Sequence, residues 1–391
     1  MLDGANETAD ASRALIASLR ERLKSGQAEL RSAYEGTANA NAMLRGRTAL
    51  VDSVLHEIWQ HFALPDTLAL AAVGGYGRGE LYPASDVDIQ LLLPNDAGND
   101  HDKSIEPLIG LLWDIGLDVG HSVRNITECT EEAARDITVQ TNLLESRLIA
   151  GSRKTFNEFT AEMRARLDPQ AFFKAKQLEQ AERYARYNDT PFSLEPNCKE
   201  SPGGLRDLQI ILWIGRATGL GSSWRQLAKN DLLTDTEARH LEHIERFLQH
   251  IRIRLHYLAG RREEKLLFEH QEAMALAFGI GRSVVKRASE LLMQRYYRNA
   301  KHITQLNTIL LQNFGERLFP ARIAAPIFID ENFQVQRDLL DVRSEDLFQR
   351  EPRTILESFL ILQQRSELKG MTARTLRALW RAHNRIDATF R

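Results

Sequence analysis

The feature that most constrains this chain is a glycine turn between two apolar runs, followed after a short spacer by a pair of aspartates. Residues 68–73 are apolar and lead into Gly74-Gly75, and Asp86 and Asp88 then alternate with apolar residues at the start of the second run. This pattern predicts strand, glycine turn, strand. Because side chains on a strand alternate between faces, Asp86 and Asp88 should share one face, with α-carbons roughly 6.8 Å apart.

Two carboxylates on one strand face can bind one or two Mg²⁺ ions, and glycines upstream allow a backbone to approach a triphosphate closely. Other glycine motifs do not fit. A dinucleotide-binding loop would need glycine where Glu80 stands, and a P-loop would need lysine followed by Ser or Thr. Either half of the pattern alone is common on ordinary strand ends. The combination resembles the nucleotidyltransferase superfamily, whose fold is polymerase-β-like.

A third carboxylate is expected from that resemblance, because polymerase-β-like sites commonly need one on a neighbouring strand. Residues 117–124 have the alternating character of such a strand and carry Asp118. The alternative is that Asp118 is an ordinary exposed strand residue.

The hydrophobic periodicity divides the 391 residues into four parts and predicts an α+β fold. We expect an N-terminal helical segment over 1–64, a nucleotidyltransferase core with a mixed sheet over 65–151, a helical domain over 152–318, and a small strand-plus-helix segment over 319–391. The more specific expectations are helices within 11–63, 104–115, 127–143, 153–188, 205–214 and 234–315, a closing strand over 145–151, a hairpin centred on 330–332, and a helix pair within 352–391.

Composition favours an ordinary soluble globular protein, with the cytoplasm as its expected compartment. With 51 basic and 53 acidic residues, no overall field favours nucleic acid or a membrane. Cys129 and Cys198 are too few for a disulfide framework, which indicates a reducing compartment. No signal peptide or membrane span is evident. His240 and His243 share a helix face, but without further ligands they do not predict a metal site.

The turn-rich segment 188–204 allows two interpretations. It ends in two glycines before an apolar helix, and Lys199 or Arg206 could add positive charge toward a nucleotide at that helix N-terminus. Alternatively, Arg206 and Asp207 hold a tight turn in a structural network. Arg45 and Arg47 are interpreted as a solvated basic pair, from which one arginine could reach a phosphate.

Two motifs taken together identify a more specific resemblance. The stretch 74–88 and the loop Glu195–Gln209, with the sequence EPNCKESPGGLRDLQ, resemble the bifunctional PII uridylyltransferase/uridylyl-removing enzymes of bacterial nitrogen control. The resemblance extends over nearly all of the chain. It implies transfer of UMP from UTP to a tyrosine of the PII signal protein, with release of pyrophosphate.

The same resemblance implies a set of site residues. Two glycines would hold the triphosphate, three aspartates would be catalytic and bind Mg²⁺, and one serine and two basic residues are weaker nucleotide contacts. The glycines are Gly74 and Gly75, and the aspartates are Asp86, Asp88 and Asp118. The weaker nucleotide contacts are Ser85, Arg78 and Lys199. The helical half would close over the nucleotide and shape the groove for PII.

Family members continue into an HD phosphohydrolase domain and two ACT domains, which this sequence lacks. The one His-Asp dipeptide, His101-Asp102, has no accompanying ligands, so uridylyl removal and glutamine sensing are not expected in this chain. We expect it to be a shortened form of the longer enzyme. Three alternatives remain: an adenylyltransferase of the glutamine synthetase-modifying type, a non-catalytic module that binds PII or nucleotide, and an RNA nucleotidyltransferase, which the charge balance does not support.

Overall fold

A computed structural model describes residues 2–62, 64–95, 102–281, 286–320, 325–382, 385–386 and 390. The helices are α1 (Leu2–Thr37), α2 (Ala40–Phe62), α3 (Gly74–Gly77), α4 (Asp102–Asp114), α5 (Ile126–Arg135), α6 (Ile137–Leu144), α7 (Arg153–Arg166), α8 (Pro169–Arg186), α9 (Leu205–Ala217), α10 (Trp224–Lys229), α11 (Asp235–Ala259), α12 (Phe268–Ala277), α13 (Ala288–Leu318), α14 (Leu347–Arg350), α15 (Thr354–Gln364) and α16 (Ala373–Ala382). The strands are β1 (Ala69–Ala72), β2 (Val87–Leu93), β3 (Val119–Asn125), β4 (Arg147–Gly151), β5 (Ile327–Phe328), β6 (Phe333–Gln336) and β7 (Leu339–Val342).

The first sheet has the strand order β3-β2-β1-β4 and is mixed. Strand β1 pairs antiparallel with β2 and with β4, whereas β2 and β3 are parallel, with Val87 beside Val119. This register matters for the site, because it brings the start of β2 next to the start of β3. The mixed sheet followed by helices confirms the predicted fold class.

Both faces of this sheet are covered by helices. Leu70 and Ala72 of β1 join one core with α1, α2 and α4, while Ala69 and Ala71 join a second core with α5 and α7. The alternation is the period of two expected for a strand buried on both faces. The sheet is therefore a central layer, and its strand ends are the parts left free to form a site.

A separate core lies among α8, α9, α11 and α13 and extends to the end of α1 and the start of α2. Helix α9 is buried around most of its surface, which explains its continuous apolar run. Tyr34 of α1 also joins this core, and its hydroxyl contacts His250 Nδ1 at 2.9 Å. The N-terminal helices thus pack against both the sheet and the helical half.

The C-terminal unit is a small sheet, β5-β6-β7, packed against α14, α15 and α16. The hairpin of β5 and β6 forms as predicted, but β7 was not predicted. The turn between β6 and β7 consists of Arg337 and Asp338, both with positive φ, at 55° and 58°. Positive φ at both central residues is typical of a type I′ hairpin, which usually uses Asn-Gly. The usual sequence signal was therefore missing.

Two predicted helices are interrupted. The segment 127–143 is divided into α5 and α6 at Asp136, whose side chain accepts hydrogen bonds from the backbone of Thr138 and Val139 and so starts a new helix. The segment 153–188 is divided at Asp168-Pro169, where Asp168 caps α8.

The four-part division of the chain stays a prediction. Within the described ranges, no helix is long and apolar enough to cross a membrane.

Candidate active site

The glycine turn forms the first wall of the site. Gly74–Gly77 makes one helical turn directly after β1, with Gly74 at φ 56°. A β-carbon on Gly77 would lie 2.1 Å from the carbonyl oxygen of Glu145, so this position cannot accept a larger residue without backbone movement. The turn is therefore held tightly against the residue that precedes β4.

The two aspartates lie beside this turn. Asp86 immediately precedes β2 and Asp88 is its second residue, with Val87 buried between them. A β-carbon on Gly74 would be 3.8 Å from Asp88 Oδ2, and the backbone N–H of Val73 donates to the carbonyl oxygen of Asp88 at 3.0 Å. The glycine turn and the Asp88 carboxylate thus share one end of the sheet.

Asp118 lies next to this pair through the parallel register of β2 and β3. Its carbonyl oxygen accepts a hydrogen bond from the backbone N–H of Val87 at 2.8 Å, and its side chain is exposed. Burial, the Asp86 carboxylate and, to a lesser degree, Asp118 raise the pKa of Asp88 to about 6, while Arg262 and Lys199 oppose that rise. Negative charge therefore accumulates at the end of two adjacent strands.

The chemistry of this donor set fits a hard divalent cation, because carboxylate oxygens are the ligands that Mg²⁺ prefers. A bound cation would oppose the rise in the pKa of Asp88 that burial and the Asp86 charge produce. In the present arrangement, however, Asp86 Oδ2 faces Arg262 Nη1 at 3.3 Å. Among the described residues, no three His, Cys, Asp or Glu side chains are arranged as a metal site. A cation would therefore compete with Arg262 for the Asp86 carboxylate.

The second wall of the site comes from the helical half. The loop at Pro196–Cys198 pairs with the segment at 264–266: Cys198 N–H donates to the Glu264 carbonyl and Leu266 N–H to the Pro196 carbonyl, each at 2.8 Å. This pairing positions both Lys199 and Arg262. Lys199 Nζ lies 3.5 Å from Glu264 Oε1, and burial followed by the charge of Arg252 lowers the pKa of Lys199 to about 8. The wall opposite the aspartates therefore carries Lys199 and Arg262, which share Glu264 as a partner.

A buried network around Asp207 fixes the loop that forms this wall. Its carboxylate is fully buried, pairs with Arg183, and accepts hydrogen bonds from the Tyr184 hydroxyl at 2.6 Å and from the Gly203 backbone N–H at 2.7 Å. Arg206 pairs instead with Glu200, at 3.0 Å. Of the two interpretations of segment 188–204, the structural network accounts for Arg206 and Asp207.

The remaining predicted nucleotide contacts have defined places. Arg78 is engaged by two carboxylates, Glu145 and Glu80, and so holds the glycine turn. The Ser85 carbonyl accepts from Arg47 at 3.3 Å. The interpretation of Arg47 as a solvated residue was wrong: it is 5% exposed, because it supports the backbone that enters β2.

Three residues of the candidate site were not predicted from the sequence: Arg262, Glu145 and Trp213. Arg262 is far from Asp86 in sequence, and only the signal of a charged segment, Arg261–Glu264, marked its region. Glu145 is buried and accepts from Trp213 Nε1 at 2.6 Å, which connects the glycine turn to α9. These contacts join the two halves across the site.

Comparison with known proteins points to one family of enzymes. Residues 171–311 match the family described as GlnD PII-uridylyltransferase, and residues 333–391 match the third domain of uridylyltransferase GlnD. A bifunctional uridylyltransferase/uridylyl-removing enzyme of Aromatoleum aromaticum is 59% identical over 391 residues, which is 100% of this chain and 45% of that protein. Proteins of the same name from Nitrosospira multiformis and Bordetella parapertussis are each 50% identical, over 95% of this chain and 43% of their own length.

A mixed sheet that carries a glycine turn beside Asp86 and Asp88, followed by a helical region, is consistent with the architecture of a nucleotidyltransferase. The family matches make this more specific. Two segments of the chain match domains of the GlnD uridylyltransferase family, and the chain spans somewhat less than half the length of the curated relatives it matches.

Proposed function

We propose that this chain transfers a uridylyl group from UTP to a tyrosine of the PII protein and releases pyrophosphate, with residues 65–151 as its catalytic core. The observation that carries the proposal is the position of Asp86 and Asp88 beside the Gly74–Gly77 turn, with Asp118 directly before the adjacent strand and Arg262 facing Asp86. Family membership supports the choice of UTP and PII, because the relatives are named uridylyltransferases. The buried free thiols of Cys129 and Cys198 are compatible with our placement of the chain in the cytoplasm.

In this proposal the tyrosine oxygen attacks the α-phosphorus of UTP. A new oxygen–phosphorus bond forms, the bond from the α-phosphorus to the bridging oxygen breaks, the hydroxyl proton is released, and pyrophosphate leaves. The backbone of Gly74 and Gly75 supports the triphosphate, and Ser85 contacts it from the entry to β2. Arg262 and Lys199 face the phosphate oxygens, where charge-assisted hydrogen bonds are strongest.

Asp86, Asp88 and Asp118 would hold Mg²⁺. When bound, that metal supplies a lowered pKa at the attacking hydroxyl and neutralises charge on the leaving pyrophosphate. Arg262 then exchanges its contact with Asp86 for a contact with phosphate. Such an exchange would leave neither the carboxylate nor the guanidinium without a partner.

The test is a transfer assay with PII, Mg²⁺ and UTP labelled in the α-phosphate. The native chain should label PII, the Asp86→Asn/Asp88→Asn variant should not, and Asp66→Asn should behave as the native chain. Asp66 is a suitable control because it is exposed, lies near the core in sequence, and has no side-chain hydrogen bond or ion pair within the described part of the chain.

Three outcomes would redirect the assignment. Labelling from ATP but not from UTP would favour the adenylyltransferase alternative. Nucleotide binding without transfer would favour a binding module. Transfer that survives the double substitution would refute these aspartates as the catalytic residues.

A further inference from the structure

A pocket outside the carboxylate site has an unusual charge composition. It lies where α11, α12 and α13 meet the end of α1, encloses about 340 Å³, and includes Arg246, Arg254, Arg295, Phe247, Phe278 and His250 in its lining. This volume falls within the usual range for small-molecule pockets. No residue of the predicted catalytic set contributes to it.

The pocket's three arginines have no carboxylate partner. Within the described ranges, no Asp or Glu oxygen lies within 4.0 Å of the guanidinium nitrogens of Arg246, Arg254 or Arg295. Arg246 Nε donates only to the backbone carbonyl of Glu242, whose carboxylate pairs with Arg225 at 3.1 Å. Positive charge therefore converges on the pocket without local neutralisation.

Aromatic rings hold two of these guanidinium groups in place. Arg254 Cζ lies 5.1 Å from the ring centre of Phe278, and Arg295 Cζ lies 4.6 Å from that of Phe247. Stacking of this kind orients a guanidinium while its N–H edge stays available to an anion. The Nε of Arg254 is buried and has no hydrogen-bond partner, so at least one donor is unsatisfied.

The electrostatics of His250 agree with this geometry. Burial and then the charges of Arg254, Arg246 and Arg295 lower the pKa of His250 to about 4. His250 is therefore neutral at physiological pH. The net positive charge of the pocket then comes from its arginines.

From these contacts we propose that the pocket binds a compact polyanion with at least two phosphoryl groups. Three guanidinium groups can donate to several phosphate oxygens at once. A single carboxylate has too few oxygen acceptors to pair with all three groups. The half-buried ring of Phe278 gives an additional surface on which a nucleobase could stack. A free polyphosphate and a nucleoside polyphosphate share the required chemistry. The proposal does not depend on uridylyl transfer.

The direct test is isothermal titration calorimetry of the 391-residue chain with tripolyphosphate in buffer containing EDTA. Without divalent cations, the carboxylate site should not attract this anion. The Arg254→Gln/Arg295→Gln variant should lose affinity about tenfold for each arginine removed. Arg298→Gln is the matched control, because Arg298 is exposed on the same helix as Arg295 and outside the pocket.

A second variant guards against a folding defect. Arg246 and Arg295 are both exposed, so Arg246→Gln/Arg295→Gln should keep the native melting curve and still lose affinity. Tighter binding of UTP or ATP than of tripolyphosphate in the same buffer, reduced in both arginine variants, would identify a nucleoside polyphosphate as the ligand of the pocket; equal affinity would identify the phosphates alone. Any of three results would overturn the proposal. These are no binding by the native chain, undiminished binding by both variants, and binding of an oligoglutamate peptide in place of phosphates.

Discussion

Replacement of Asp207 by alanine should destabilise the chain more than most single substitutions. The carboxylate is 0% exposed, and its principal partner, Arg183, is only 2% exposed. Loss of the carboxylate leaves the Arg183 charge buried and unpaired, which typically costs about 3–5 kcal/mol. It also removes the acceptor for the Tyr184 hydroxyl and the Gly203 N–H. Because native domains are stable by about 5–15 kcal/mol, this is a large fraction of the total.

The assay is urea denaturation followed by circular dichroism. Asp207→Asn keeps the shape but not the charge, so it should lose about 2–3 kcal/mol in the free energy of unfolding. The double variant Arg183→Met/Asp207→Leu should be more stable than Asp207→Ala, because it leaves no unpaired charge. A loss below about 1 kcal/mol for Asp207→Ala would refute the reasoning, since removal of a buried ion-pair partner should cost more.

Two further predictions concern other positions. Gly77→Ala should destabilise the chain by about 1–3 kcal/mol and lower the rate of transfer, because its β-carbon would lie 2.1 Å from the Glu145 carbonyl oxygen. The control is Gly110→Ala, whose β-carbon would have no atom within 4 Å. In thermal denaturation this control should be neutral or stabilising. Burial raises the pKa of Glu245 from 4.5 to about 7, so the folded chain holds the Glu245 proton more tightly than the unfolded chain does. The resulting contribution to the free energy of unfolding is fully present below pH 4.5 and is lost as the pH rises through 7. Glu245→Gln, which can still accept from Trp224 Nε1, should therefore be more stable than native at pH 8 by up to about 3 kcal/mol and equal to it at pH 4; parallel stability curves would contradict this.

The sequence predicted the parts of the site that depend on local periodicity. The alternation around Asp86 and Asp88 indicated β2, and the apolar pattern around Asp118 indicated β3. Their adjacency follows from the register that pairs Val87 with Val119, which periodicity does not specify. The general position of the carboxylates was therefore predictable, whereas the contacts between them and the helical half were not.

Long-range contacts account for most of what the sequence did not reveal. Arg262 reaches Asp86 only because the 264–266 segment pairs with the loop at Pro196, and neither segment has a distinctive strand pattern. Arg47 is buried by tertiary packing, although its local sequence suits a solvated helix face. Such contacts depend on how whole elements pack, so residue spacing alone does not predict them.

The most direct test of the central claim is the initial rate of uridylyl transfer to PII by the native chain and by Asp86→Asn/Asp88→Asn, each at saturating Mg²⁺ and UTP. We expect the rate of the variant to fall at least about 100-fold, because the proposed Mg²⁺ would lose two of its ligands. The melting temperature of the variant should not fall. A variant that transfers at the native rate would contradict the assignment of catalysis to this end of the sheet.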